Sequence, residues 1–212
     1  MENQNYIYLI FSATPLKMGA MIRTLTQNPY NHISVALKED AKFFFSFARY
    51  NLYSPLAGGF IKESRERFFS NDGMPSKIKV YAIPVSVPIY HKVTDRLHEF
   101  ELHKESYMYN TFSAILLPIG RICRIQNTFT CAEFAADILM QAEVLDASYI
   151  EKPITIKQLE ILFSGYHIYE GDMPDTDGNC KNHTDLYFQK QNPLMITSVT
   201  IRHFFKLLSK LF

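Results

Sequence analysis

The chain has 212 residues, 47% hydrophobic and 20% charged, enough to enclose one sizeable core. A formal net charge of +1 gives no electrostatic pull toward nucleic acid, and the 8 glycines include no phosphate-binding fingerprint. Three cysteines, Cys123, Cys131 and Cys180, form an odd set without framework spacing and read as reduced thiols in a cytoplasmic setting; residues 1–5 lack a basic signal-peptide region, and no apolar run reaches the ~18 residues of a membrane span.

Residues 6–12 are a β-rich run and read as a strand. Thr14-Pro15 fits an N-cap followed by proline at the first helical position, and a helix over 16–26 follows. After turn chemistry at 28–31, residues 32–37 alternate as a strand, 38–41 turn, and 42–48 form a second, aromatic strand, together a hairpin. Centring that turn on Glu39-Asp40 places Ser46 and Phe47 near His32 and Ile33, with His32 and Ser34 on one face and Ile33 and Val35 on the other. Residues 50–59 read as a loop, 60–69 as a strand end or short helix carrying alternating charge, and 77–87 as a strand punctuated by Pro84 and Pro88. Helices are expected over 94–105, 131–141 and 155–163, a short helix or strand over 111–117, and a short strand over 166–170. Residues 173–192 are polar and read as a mobile loop; Asp175-x-Asp177-Gly178 fails the calcium-loop spacing, and Cys180-x-x-His183 has no second pair to complete a metal site. The tail places Ile201, Phe204, Phe205, Leu208, Leu211 and Phe212 on one stripe and Arg202, Lys206 and Lys210 opposite, either a helix docked by that stripe or an interfacial membrane helix.

The stretch 127–139 carries the chemistry. Thr130 and Glu133 have capping-box spacing ahead of an apolar run, so Cys131 becomes the first helical residue. Backbone N–H groups there have no helical partner, and the helix dipole favours thiolate. The alternative is a small buried hydrophobe. A thiolate nucleophile needs an imidazole to carry protons. Of seven histidines, only His32 opens a well-formed strand, whereas His203 falls on the polar side of the tail. Ser46 on the next strand is the nearest candidate to orient the ring. The Cys131 N–H, with a hydroxyl of Tyr6 or Tyr8, is a candidate oxyanion site.

The order strand, helix, His on a strand, then Cys at a helix start 99 positions later resembles the circularly permuted NlpC-type branch of the papain-like cysteine hydrolases, which includes lecithin:retinol acyltransferase-like proteins. The resemblance rests on residues 31–35, Tyr107-Met108-Tyr109-Asn110 and Thr130-Cys131-Ala132-Glu133-Phe134, with further likeness at 154–159 and 168–171. It spans roughly residues 6–171 and implies an α+β papain-like domain, taken here as 1–193, with an antiparallel sheet packed against helices; the amphipathic basic helix over 194–212 has no counterpart in it. It also implies thioester chemistry on Cys131 with His32 as general base, an amide, peptide or acyl-ester substrate, and no cofactor; the near-neutral charge and the incomplete Cys-His spacing separately give no expectation of nucleic acid or metal. Relatives often carry an acidic, amide or imidazole group on the strand after the His strand; here Ser46 is the only polar side chain in the run 43–47. The competing readings are a lipid-directed acyltransferase with peripheral membrane contact through the tail, and a catalytically degenerate binding module.

Overall fold

Strict alternation in the first strand sets the architecture. In this computed structural model, which describes residues 4–14, 17–54, 56–176, 178 and 183–211, that strand is buried on both faces. Ile7, Leu9 and Phe11 point into one core cluster, and Tyr8 and Ile10 into another. The strands are Asn5–Ala13 (β1), His32–Ala36 (β2), Phe43–Arg49 (β3), Gly58–Ser64 (β4), Lys77–Val85 (β5), Met108–Tyr109 (β6), Thr128–Phe129 (β7) and His167–Asp172 (β8). The helices are Lys17–Thr26 (α1), Val87–Leu102 (α2), Thr111–Leu116 (α3), Cys131–Gln141 (α4), Ile156–Leu162 (α5) and Pro193–Ser209 (α6). Six strands form an antiparallel sheet in the order β4-β3-β2-β1-β5-β8, and β6 and β7 make a separate parallel pair. The fold is therefore α+β, an antiparallel sheet packed against helices.

One sheet face is covered by α2 and α4. Phe47 and Phe60 from the sheet meet Phe100 of α2 and Phe134 of α4, with ring centroids 5.4 to 5.9 Å apart. The other face carries Tyr8, Ile10, Ala36, Phe44 and Ile78, covered in part by Phe68, Phe69 and Met173. A Cβ at Gly59 would collide with the Tyr50 hydroxyl and the Tyr107 carbonyl, so glycine lets β4 lie close against the chain leading into β6.

Several boundaries differ from the sequence expectation for definable reasons. Pro88 does not punctuate a strand. With Ser86 as N-cap it opens α2, which starts at Val87 rather than near 94. Residues 60–69 split into the end of β4 and a 3-10 turn over Arg65–Phe68. Within 173–192, the stretch 185–189 is tied to the sheet and its loops. Arg67 grips Asp185 through two hydrogen bonds of 2.8 and 2.9 Å, and the Asn51 amide donates to the carbonyls of Leu186 and Gln189. Pro15, Asp177 and Cys180 lie outside the described residues.

The tail helix docks by the face opposite to the one expected. Leu207 is fully buried against Met108 and Ile125, and His203, expected on the polar side, is also buried and binds the Tyr109 carbonyl at 3.3 Å. Lys206 and Lys210 reach the carbonyls of Glu105, Ser106 and Gln126. Buried Leu207 and His203, together with three surface carbonyls that receive the lysines, set the rotation of α6, and Ile201 and Phe205 of the expected buried stripe face outward. Among the described residues no helix is long and apolar enough to cross a membrane.

Candidate active site

The site assembles at the end of the sheet where β2 begins. Thr128 and Phe129 pair with β6, and Asn127 turns through a left-handed φ of 57°, which aims the following residues into a helix start. Thr130 caps α4, and the capping box is complete: its N–H donates to Glu133 Oε2 at 2.7 Å, and the Glu133 N–H donates to Thr130 Oγ1 at 3.2 Å. Cys131 thus occupies the first helical position, where its own N–H has no intrahelical acceptor. A Thr130→Ala change is expected to cost about 1 kcal/mol of stability in urea denaturation, because it strands the Glu133 N–H at a buried helix start.

His32 is the first residue of β2, and the chain before it is fixed. The Asn31 N–H donates to the Ser12 carbonyl at 3.1 Å, and the Asn31 side chain accepts from the Thr14 N–H and the Arg23 guanidinium. The ring follows the strand alternation onto the face of Ser34, away from Ile33 and Val35, which pack beneath α4. Its Nε2 lies 2.7 Å from Glu63 Oε1 and 3.2 Å from Ser34 Oγ. Cys131 belongs to the helix-covered core cluster and lies near enough to the ring for its sulfur to raise the His32 pKa.

Glu63 is the residue that sequence reasoning missed. It sits on β4, two strands from His32, on the same face as Ser34 and Ser46. Ser46, expected to orient the ring, instead donates its hydroxyl to Glu63 Oε1. A carboxylate reaching across β3 from β4 takes the orienting position, and Ser46 holds the carboxylate. The register explains the difference: pairing of Val35 with Phe45 continues to set Ser46 opposite Ser34 rather than beside the ring.

Burial makes these contacts strong. The side chains of His32 and Glu63 are only 12% and 5% exposed, and Cys131 as a whole is 7% exposed. Desolvation alone would lower the His32 pKa. The charge of Glu63, and hydrogen bonding of the ring with Cys131 and to Glu63, outweigh it and push the ring up to about 10. Burial would raise Glu63, but His32, the Ser46 hydroxyl and the Arg67 charge together lower it. The resting pair is imidazolium and carboxylate.

Tyr6 and Tyr8 do not serve Cys131. Both belong to the core cluster on the sheet face away from α4, and Tyr8 pairs with Ala36 at the far end of β2. Tyr109 is the phenol that senses Cys131: burial, then the charge at Cys131, holds its hydroxyl protonated well above the usual range. It ends the short strand paired with the segment that leads into Cys131. Two cavities lie elsewhere. One of ≈ 330 Å³ flanks α4 beside Glu133 and Met140, and one of ≈ 280 Å³ lies on the open sheet face over Ile10, Phe44 and Val80.

Among known proteins, no family model, no curated protein and no solved structure matches this chain.

Proposed function

We propose that the protein is a cysteine hydrolase with a papain-like catalytic arrangement, acting on an amide, peptide or acyl ester. The observation that carries the reading is the His32 ring hydrogen-bonded to a buried, hydroxyl-tethered Glu63, with Cys131 near enough to raise the ring's pKa. A cysteine at a helix start, a histidine opening a neighbouring strand and a third group fixing the imidazole are the parts that thiol acyl chemistry requires. A merely structural cysteine needs none of them.

In the proposed cycle the Cys131 proton resides on His32 as the sulfur attacks the carbonyl carbon. The resulting oxyanion takes hydrogen bonds from the Cys131 N–H and the Tyr109 hydroxyl. His32 then delivers its proton to the leaving nitrogen or oxygen, and the carbon–leaving-group bond breaks to give a thioester. Neutral His32 next takes a proton from water. The hydroxide adds to the thioester carbon, and the acid departs as sulfur recovers the electron pair. Glu63 keeps Nε2 in place throughout and offsets the charge on the ring. No step requires a cofactor.

Iodoacetamide mapping tests the reading. Near pH 7, Cys131 should be alkylated at least about tenfold faster than the more exposed Cys123. His32→Asn, which retains a donor toward Glu63, should remove that advantage. Equal alkylation of Cys131 in wild type and His32→Asn would overturn the catalytic pair.

A further inference from the structure

We propose that the face formed by α6 and the α3 segment docks on an anionic lipid bilayer. Leu194, Ile201, Phe204 and Phe205 are 79, 50, 42 and 65% exposed along α6, and Ile115 and Ile119 beside it are 64 and 67% exposed. The Phe112 and Phe204 rings, 5.3 Å apart, join the two segments into one patch. The tail helix does not need this stripe to dock, since it holds to the domain by Leu207 and His203. Large apolar side chains are thus left outward on a helix already secured from behind.

Basic residues are concentrated in the same segments. Residues 107–132 and 186–212 together contain Arg121, Arg124, Lys190, Arg202, Lys206 and Lys210 and no Asp or Glu. The rest of the chain keeps 16 of the 22 basic residues against all 21 acidic ones. Six positive charges and no carboxylate therefore lie on the segments that bear the exposed apolar patch, with Lys206 and Lys210 at its inner edge on the carbonyls of Glu105, Ser106 and Gln126. A second copy placed symmetrically on this face would oppose like charges. An anionic lipid surface satisfies both features, taking the apolar side chains at the level of the acyl boundary and the basic ones among the head groups.

The test uses the full chain and vesicles of pure phosphatidylcholine or of phosphatidylcholine with about 30% phosphatidylserine. Cosedimentation with the anionic vesicles is expected, falling at least about tenfold with pure phosphatidylcholine and at raised salt. Ile201→Ser/Phe205→Ser should lose at least about tenfold in partitioning while keeping the wild-type thermal melt, since both side chains face outward. Cys131→Ala should bind like wild type, which separates this proposal from the catalytic one. Absence of vesicle binding, binding that the double variant does not weaken, or self-association by sedimentation velocity that the double variant abolishes without any vesicle binding would each overturn it.

Discussion

Glu63→Gln is expected to slow hydrolysis of a probe ester such as p-nitrophenyl acetate by about 10²- to 10⁴-fold while leaving the fold intact. The corresponding change in a serine-protease triad costs about 10⁴, because the amide no longer fixes the ring or offsets its charge. Here the amide keeps the shape of the carboxylate and can still accept from Ser46. It does not carry the charge that raises the ring to about 10. The His32 pKa of the variant should therefore fall toward the ordinary value of 6.5, and the alkaline limb of the pH–rate profile should move down with it. A Glu63→Gln enzyme with an unchanged profile would show that the carboxylate has no part in proton transfer.

His32→Ala is expected to destabilise the protein by about 3–5 kcal/mol, because it strands a carboxylate that is only 5% exposed. The companion His32→Ala/Glu63→Gln should recover most of the loss, since neither partner is then left charged and alone. The pH dependence follows from the two shifts. The His32 pKa is raised on folding, so its contribution is fully present below 6.5 and is lost as pH climbs through about 10. Glu63 is lowered from 4.5, so its contribution is present above that value and is lost as pH falls through the folded one. The stability gap between wild type and double variant, measured by urea denaturation, should be widest between pH 4.5 and 6.5 and narrow toward pH 10. A gap flat from pH 6 to 10 would mean that packing, not charge, joins the pair.

The parts of the site written in local sequence were legible without a structure. Thr130 and Glu133 announce a helix start through backbone chemistry that spans three residues, so Cys131 could be placed from its neighbours. His32 opens a strand whose alternation is visible in five residues. Glu63 was hidden for two reasons. It lies among Lys62, Arg65, Glu66 and Arg67, so it reads as one charge on a solvated stretch, although it is 4% exposed. Its role also depends on two successive strand registers, and a slip of one residue in either sends the carboxylate to the other face. The signal present in the sequence was parity: Phe60 belongs to the core beneath α2, so Glu63, three positions on, points to the opposite face, the one His32 shares. The rotation of α6 failed in the other direction. Its apolar stripe is real, but Leu207 and the carbonyls at Glu105, Ser106 and Gln126 outvote it, and no helical periodicity contains those carbonyls.

The antiparallel order of the sheet bears on how the protein comes into being. β1, the first strand made, lies inside the sheet between β2 and β5, and α4 leaves the ribosome long after the hairpin it must cover. During synthesis the imidazole and its carboxylate can pair early, while the sulfur arrives only with distant closure, a slow class of event in folding. Under the proposed function, the thiol of the nascent chain therefore stays without its proton carrier until that closure.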